Sequence, residues 1–219
     1  MRPPWFPFTP DKTATTKNHH IIMALKINIP PYKIRPLEAH DIPAVVSLDR
    51  KVFKDPWPES AYIQELYFNP NAHYFVLQLM EPVAKRWRLG RRAARDAKLL
   101  GFMGMRVEMG HGHISTIAIR PEWRHRGLGE LLLITAIKQS IKDNADNISL
   151  EVRVSNVTAQ NLYEKYGFET ISRLHQYYGD REDAYLMRTG PLDFEYQWYV
   201  DSRFNNLVAQ LEIAPIREG

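Results

Sequence analysis

The feature that most constrains the fold is an amphipathic segment preceded by a glycine-containing turn. Apolar residues recur at Leu133, Ile137 and Ile141 with polar residues between them, which predicts a helix over residues 128–142. The residues before it, Arg124–Gly129, read Arg-His-Arg-Gly-Leu-Gly. Backbone N–H groups at a helix start lack intrahelical acceptors and lie at the positive end of the helix dipole. The turn is therefore a predicted anion site.

The periodicities elsewhere predict an α/β domain with the element order β-α-α-β-β-β-α-β-α-β-β. Strands joined through helices imply parallel pairing in the middle of the sheet, and consecutive strands imply antiparallel pairing beside it. The sequence therefore predicts one domain with a mixed central sheet. The predicted strands are 33–35, 74–80, 99–107, 114–120, 148–153, 169–177 and 184–188, and the predicted helices are 41–52 with Asp41 as N-cap, 59–68, 128–142 and 157–166.

Three segments are predicted to lie outside the regular domain of residues 32–191. Residues 1–31 are rich in Pro, Thr and Lys without periodicity, which favours a disordered extension. Residues 81–98 form a basic insertion, which we interpret as a solvated loop or, alternatively, as a contact with the ribosome or RNA through residues 85–98. Residues 192–219 are rich in aromatic side chains, so we expect this tail to pack on the domain or on a partner.

The composition excludes several classes of chemistry. The 219-residue chain has no cysteine, which excludes disulfides, thiolate metal sites and a cysteine acyl-enzyme. It has no apolar run long enough to cross a membrane and no pattern typical of a secretory signal, so we expect a cytoplasmic protein without membrane contact. His111 and His113 have no third ligand in view, so we expect them to flank a hairpin turn and predict no metal site.

Together with segments before and after it, the glycine turn resembles the GNAT superfamily of N-acetyltransferases. More narrowly, residues 32–188 resemble the bacterial ribosomal-protein-alanine acetyltransferases of RimI type. The resemblance rests on Pro56-Trp57, Ile117-Ala118-Ile119, Pro121, Arg124-x-x-Gly127-x-Gly129, Leu150-Glu151-Val152-Arg153, Ser155-Asn156, Leu162-Tyr163-Glu164-x-x-Gly167-Phe168, Tyr177-Tyr178 and Arg181-Glu182-Asp183-Ala184.

The resemblance implies acetyl-CoA as co-substrate, Glu151 as general base and Tyr163 as general acid. It places the pantetheine arm near Asn156, a residue that is equally suited to be a helix N-cap. Glu130 is a departure, because a carboxylate is mildly unfavourable beside a pyrophosphate. The implied cofactor-binding residues are Ile117, Ala118, Ile119, Arg124, His125, Arg126, Gly127, Leu128, Gly129, Glu130, Asn156 and Tyr163.

The residues themselves are compatible with these roles. Glu151 alternates with apolar Leu150 and Val152, which directs it away from the core. The expected reaction is acetylation of a protein N-terminal α-amine, with a ribosomal protein beginning in alanine as the type acceptor. The alternatives are acetylation of lysine or a small amine by the same fold, and a non-catalytic module that binds CoA or RNA.

Overall fold

The computed structural model describes residues 25–80 and 98–213, which form one sheet with helices on both faces. The strands are β1 (Ile27–Ile29), β2 (Tyr32–Pro36), β3 (Ala72–Leu79), β4 (Leu99–Glu108), β5 (His111–Ile119), β6 (Asn147–Arg153), β7 (Phe168–Leu174) and β8 (Ala184–Thr189). The helices are α1 (Ile42–Val52), α2 (Glu59–Phe68), α3 (Leu128–Lys142), α4 (Val157–Glu164) and α5 (Phe194–Ile213), with short 3-10 turns at Ala39–Asp41 and Pro121–Trp123.

The eight strands lie in the order β1-β2-β3-β4-β5-β6-β8-β7. Strands β5 and β6 pair in parallel, and the other neighbours pair antiparallel. The predicted mixed sheet in a single α/β domain is therefore confirmed. Helix α3 has the predicted bounds, because its apolar stripe is long enough to define both ends.

Ordered structure begins earlier than predicted. Strand β1 lies within the segment expected to be disordered, and it pairs Ile27 with Ile34 and Ile29 with Tyr32. Ile27 and Ile29 are buried while Asn28 between them is exposed. Three alternating residues are too few to give a recognisable period, so tertiary pairing decides this strand. Residues 1–24 lie outside the described residues, as does the basic insertion except for its last residue, Lys98.

Asp41 precedes α1 as predicted, but its side chain does not cap the helix. Its carboxylate accepts hydrogen bonds from the Arg35 guanidinium at 2.6 and 2.8 Å and from the backbone N–H of Glu38 at 2.9 Å. The helix capping prediction failed because the half-buried Arg35 guanidinium provides stronger, bidentate partners for the carboxylate.

Two hydrophobic cores cover the two faces of the sheet. Helices α3 and α5 pack on one face, which we call the α3/α5 face, against residues such as Met103, Ile114 and Leu150. Helices α1 and α2 pack on the opposite face, the α1/α2 face, against residues such as Val76 and Phe102. Side chains of one strand alternate between these faces, so the pattern of each strand fixes which residues reach which side.

The aromatic-rich tail forms helix α5, whose Val200, Leu207 and Leu211 join the core of the α3/α5 face. Val200 is 1% exposed, and the two leucines are each 4% exposed. Exposed Phe194 and Trp198 lie on the same helix. Among residues 25–80 and 98–213, none of the helices combines the length and apolar character needed to cross a bilayer.

Candidate active site

The parallel strands β5 and β6 separate halfway along their length. Residues 111–114 of β5 pair with 147–150 of β6. Beyond that point, residues 116–119 pair with β4, and Glu151–Arg153 pair with β8. The backbone of Ile117, Ala118 and Ile119 therefore borders a gap in the sheet. Hydrogen-bonding groups at such an edge need a partner from water or a ligand, so the gap suits an extended polar chain such as pantetheine.

The turn before α3 has the conformation of an anion cradle. His125 and Gly127 have left-handed φ values of 58° and 76°. The first N–H to bond back into α3 is that of Leu131, which donates to Gly127 O at 2.9 Å. The N–H groups of Leu128, Gly129 and Glu130 precede this bond and lie at the helix start. Consecutive amides at a helix N-terminus match the oxygens of a diphosphate.

Two arginines add positive charge beside this turn. The Arg126 guanidinium lies 4.6 Å from the centroid of the Trp123 ring, which holds it in a cation–π contact. Arg124 is exposed and donates from Nε to Ile119 O at 3.4 Å. The turn and the gap in the sheet are thus linked through Ile119, and together they fit the pyrophosphate and arm of CoA.

The Glu130 side chain is held by two hydrogen-bond donors from neighbouring residues. Its Oε1 accepts hydrogen bonds from Lys165 Nζ at 2.5 Å and from the Tyr166 hydroxyl at 2.6 Å. The ammonium group balances the negative charge of this carboxylate. Glu130 is therefore compatible with an anion site at the same helix start.

Asn156 caps helix α4. Its Oδ1 accepts from the backbone N–H of Ala159 at 3.3 Å, and the residue is exposed at the end of β6. The prediction that Asn156 is a helix N-cap is confirmed. A contact of its free amide hydrogens with the pantetheine arm stays a prediction.

Glu151 and His113 form a pair on the α1/α2 face. Leu150 and Val152 are 2% and 4% exposed on the other face, so Glu151 points away from the α3/α5 core as the alternation predicts. Glu151 Oε2 lies 2.9 Å from His113 Nε2. The carboxylate is thereby fixed at the point where β5 and β6 separate.

The hydrogen bonding of His113 indicates which ring nitrogen donates to Glu151. His113 Nδ1 is buried and has no hydrogen-bond partner among the described residues. A carboxylate oxygen can only accept, so Nε2 carries the proton of the hydrogen bond to Glu151. His113 thereby orients the Glu151 carboxylate.

The Glu151–His113 pair opens into a cleft of about 560 Å³. The cleft lies between the end of the β4–β5 hairpin and the segment that follows β7. A volume of this size accommodates the end of a peptide or a small amine. The lining residues are Arg106, Glu108, Met109, His111, His113, Glu151 and Tyr177.

His111 also faces this cleft, but its ring is held within the sheet. Its Nδ1 and Nε2 lie 2.5 Å from Asn147 Oδ1 and 2.8 Å from Ser149 Oγ. Both histidines therefore belong to β5 and contact β6 rather than only flanking the hairpin turn at Met109 and Gly110. The described residues contain no group of three or more His, Asp or Glu side chains arranged to hold a metal ion.

Tyr163 lies on the opposite side of the sheet gap from Glu151. It packs with the α3/α5 core, with its ring centroid 5.9 Å from that of Phe168. Burial raises the pKa of Tyr163 to about 12. Its hydroxyl is therefore protonated at neutral pH and is suited to donate a proton. Burial also raises the pKa of Tyr178 well above its usual value.

Charged side chains connect the two loops beside the cleft. We call this set the Arg153 network; it consists of Arg153, Asp55, Asp180 and Glu182. Arg153 donates to Asp180 Oδ1 at 2.8 Å and to Glu182 Oε2 at 2.9 Å, and it lies 3.3 Å from Asp55 Oδ2. Its guanidinium also stacks 3.8 Å from the Tyr178 ring centroid. Asp55 belongs to the α1–α2 connection, whereas Asp180 and Glu182 belong to the β7–β8 connection. Arg153 therefore ties together the two loops that flank the candidate acceptor side.

The mixed sheet is split at its parallel strands, with an amide cradle on one side and a carboxylate cleft on the other. This arrangement fits an acyltransferase that uses CoA. Residues 42–168, more than half of the chain, match the sequence profile of the Acetyltransferase (GNAT) family. The chain belongs to this family. It is therefore an acetyl-transferring enzyme with acetyl-CoA as co-substrate, rather than a non-catalytic module.

Individual proteins similar to this chain are N-terminal acetyltransferases by name. One relative is a Bacillus subtilis protein that carries the name ribosomal protein bS18-alanine N-acetyltransferase. It is 35% identical to this chain over 155 residues, which cover 70% of this chain and 92% of that protein. An N-alpha-acetyltransferase of Sulfurisphaera tokodaii is 31% identical over 170 residues, with 71% and 91% covered. The crystal structure of the ribosomal-protein-S18-alanine N-acetyltransferase from Escherichia coli superposes with a TM-score of 0.61 at 27% identity and covers 74% of this chain and 95% of its own.

Two features of the site were missed from the sequence. The contact between His113 and Glu151 depends on the register of β5 against β6, which no local pattern specifies. The Arg153 network joins residues as far apart as Asp55 and Glu182. The only sequence signal was the concentration of charged residues between Asp180 and Asp183, which gives no indication of the partner.

Proposed function

We propose that this enzyme acetylates the N-terminal α-amine of a protein, with Glu151 as general base and Tyr163 as general acid. The observation that carries the proposal is the Glu151–His113 pair, 2.9 Å apart, at the sheet gap and open to a peptide-sized cleft. The type acceptor is a ribosomal protein that begins with alanine. Relatives that act on N-terminal α-amines, including those named for ribosomal protein bS18 alanine, support this acceptor.

In this proposal, Glu151 prepares the acceptor amine. An ammonium group must lose a proton before its nitrogen can attack, and the Glu151 carboxylate faces the cleft through which the acceptor would approach. A protein α-amino group has a pKa near 8, about two units below that of lysine. A carboxylate acting directly or through one water is therefore adequate for an α-amine. His113 holds this carboxylate by donating from Nε2.

In this proposal, Tyr163 acts from the cofactor side of the same gap. Acetyl-CoA, when bound, supplies an acetyl group activated as a thioester. The protonated hydroxyl of Tyr163 would give its proton to the departing sulfur, and the gap between β5 and β6 would let acid and base act from opposite faces. Direct transfer in this arrangement needs no enzyme nucleophile, which agrees with the absence of cysteine from the chain.

The acceptor is tested with peptides that offer one reactive amine each. One set begins with a free alanine α-amine and has its lysines blocked, and the other has a blocked α-amine and one free lysine. We expect acetylation of the free α-amine peptides, with a peptide from the N-terminus of ribosomal protein bS18 as the reference. Acetylation confined to the lysine set, or to small amines such as spermidine, would overturn the proposal.

The catalytic roles are tested by isosteric variants. Glu151→Gln and Tyr163→Phe should each lower kcat by about 10²- to 10⁴-fold, the usual contribution of general acid–base catalysis. His113→Phe should cost less, about tenfold, because it removes only the group that orients the base. The matched controls are exposed Glu169→Gln on β7 and Tyr67→Phe on α2, which should keep wild-type kcat. A Glu151→Gln variant with wild-type kcat would disprove the assignment of the base.

A further inference from the structure

Helix α5 lies beyond the part of the chain that matches the family, which ends at residue 168, yet it contacts the predicted CoA-binding turn. A Cβ atom on Gly127 would lie 2.8 Å from Leu207 Cδ1 and 3.8 Å from Leu211 Cδ2. Both leucines are almost fully buried. The helix therefore closes the back of the turn whose amides face the predicted pyrophosphate position.

Helix α5 also holds the residues that neutralise Glu130. The Tyr199 hydroxyl donates to Lys165 O at 2.6 Å, and the Tyr196 hydroxyl donates to Tyr166 O at 2.8 Å. Lys165 and Tyr166 in turn donate to the Glu130 carboxylate in the first turn of α3. One helix thus supports the turn from behind and fixes the two donors that compensate the Glu130 carboxylate.

We propose that helix α5 sets the affinity of this enzyme for acetyl-CoA, with Leu207 as the positioning residue. Glycine enters the left-handed region readily but also adopts many other conformations, so Gly127 by itself does not hold the turn in the binding geometry. Leu207 fills the space behind Gly127 and restricts the turn to its observed φ of 76°. A preorganised turn loses less entropy on binding, which raises affinity.

The inference rests on the proposed position of the CoA pyrophosphate at residues 124–130 and is independent of the acceptor. It also requires that α5 stay docked when the side chain of Leu207 is shortened. Other contacts provide for this, because Asp201 pairs with Lys138 of α3 and Val200 is buried in the core. Val200 lies seven residues before Leu207, which corresponds to about 10 Å along the helix. It therefore serves as a matched buried position away from the turn.

The test compares Leu207→Ala with Val200→Ala in the full chain, at a temperature where circular dichroism shows all proteins folded. Titration calorimetry with CoA measures the dissociation constant. We expect Leu207→Ala to raise the Kd about five- to tenfold and Val200→Ala to change it by less than about twofold. At saturating acetyl-CoA, kcat should stay within about twofold of wild type for both variants.

Amide hydrogen exchange gives a second measurement that does not depend on activity. Leu207→Ala should speed exchange at residues 125–130 more than Val200→Ala does. If Leu207→Ala does not fold, Leu207→Val is compared instead, with an expected two- to threefold rise in Kd at about the same stability cost as Val200→Ala. Wild-type CoA affinity in the Leu207 variant, or equal weakening by both variants, would overturn the inference. Because CoA is titrated without acceptor, failure of the proposed acceptor specificity leaves this measurement intact.

Discussion

On the α3/α5 face, the turn proposed to bind CoA is supported by apolar packing, with Leu207 and Leu211 behind Gly127. On the α1/α2 face, the loops beside the acceptor cleft are joined by charges, with Arg153 between Asp55, Asp180 and Glu182. The first arrangement excludes water and depends on shape. The second is half-exposed, and hydrogen bonds from Arg153 lower the pKa of Asp180.

This difference suits the two ligands. Acetyl-CoA is the same molecule in every reaction cycle, so a rigid apolar support for its binding turn has no drawback. An acceptor chain has to enter and leave, and loops joined by ion pairs near the surface are held more weakly and are screened by salt. Changes on the two faces should therefore affect different kinetic constants.

Among the changes that separate the two faces, the largest expected effect on a binding constant is from Gly127→Ala on the cofactor side. The left-handed conformation costs a residue with a Cβ about 1–2 kcal/mol, and the new atom would lie 2.8 Å from Leu207 Cδ1. We expect the CoA Kd and the KM for acetyl-CoA to rise about tenfold or more, with the acceptor KM unchanged. Calorimetry and steady-state kinetics with each substrate varied separately measure the two constants.

Gly190→Ala is the control, because among the described residues no atom other than those of its chain neighbours lies within 4 Å of its Cβ position, and its φ is not left-handed. It should leave both constants at the wild-type value. If Gly127→Ala raises the acceptor KM and leaves CoA affinity unchanged, the assignment of the two faces is wrong.

Several elements were predictable because one segment of sequence determines them. Helix α3 and the alternation of Leu150, Glu151 and Val152 depend on local periodicity, which determines both secondary structure and the side that each residue faces. The left-handed Gly167 after α4 was also predictable, with an observed φ of 73°. The turn before α3 was recognised for the same reason.

The remaining features depend on contacts between segments distant in sequence. Strand β1 exists through pairing with β2, and the Glu130 carboxylate is compensated by Lys165 and Tyr166, which lie 35 and 36 residues away. Helix α5 was predicted only as a tail that packs somewhere, since its aromatic content indicates burial but not the surface it covers. Such contacts follow from the tertiary arrangement, which periodicity does not encode.

An intermediate effect is expected from Arg153→Lys on the acceptor side. Lysine keeps the charge but cannot bridge three acids or stack on Tyr178 as a planar guanidinium does. We expect the acceptor KM to rise about two- to fivefold with the KM for acetyl-CoA unchanged. In the wild type, added salt should also raise the acceptor KM, because it screens the ion pairs of the network.

Exposed Arg50→Lys on α1 is the matched control and should leave both KM values unchanged. Kinetics at low and high ionic strength test the comparison. An Arg153→Lys variant that weakens acetyl-CoA alone would show that the network supports the cofactor side instead.

The smallest expected effect on activity is from Asp49→Asn. Asp49 lies in α1 and contacts the α1–α2 connection, and its replacement should change stability rather than catalysis. Asp49 is 2% exposed and accepts the backbone N–H of Trp57 at 2.6 Å, a hydrogen bond that the amide oxygen of asparagine can retain. Burial raises the pKa of Asp49 from 3.8 to about 6. We therefore expect kcat and both KM values within about twofold of wild type, because the turn keeps its hydrogen bond.

The stability effect has a defined sign. The folded state binds the Asp49 proton more tightly than the unfolded state, so the contribution of this group is full below pH 3.8 and is lost as the pH rises to about 6. Asparagine is neutral throughout, so Asp49→Asn should be close to wild type in stability near pH 4 and more stable by about 2–3 kcal/mol at pH 7. Urea unfolding across this range measures the difference. If the free energies of unfolding of the two proteins stay parallel from pH 4 to 7, the Asp49 carboxylate is compensated in the folded state. The acceptor side would then be held by a buried charge as well as by the half-exposed Arg153 network.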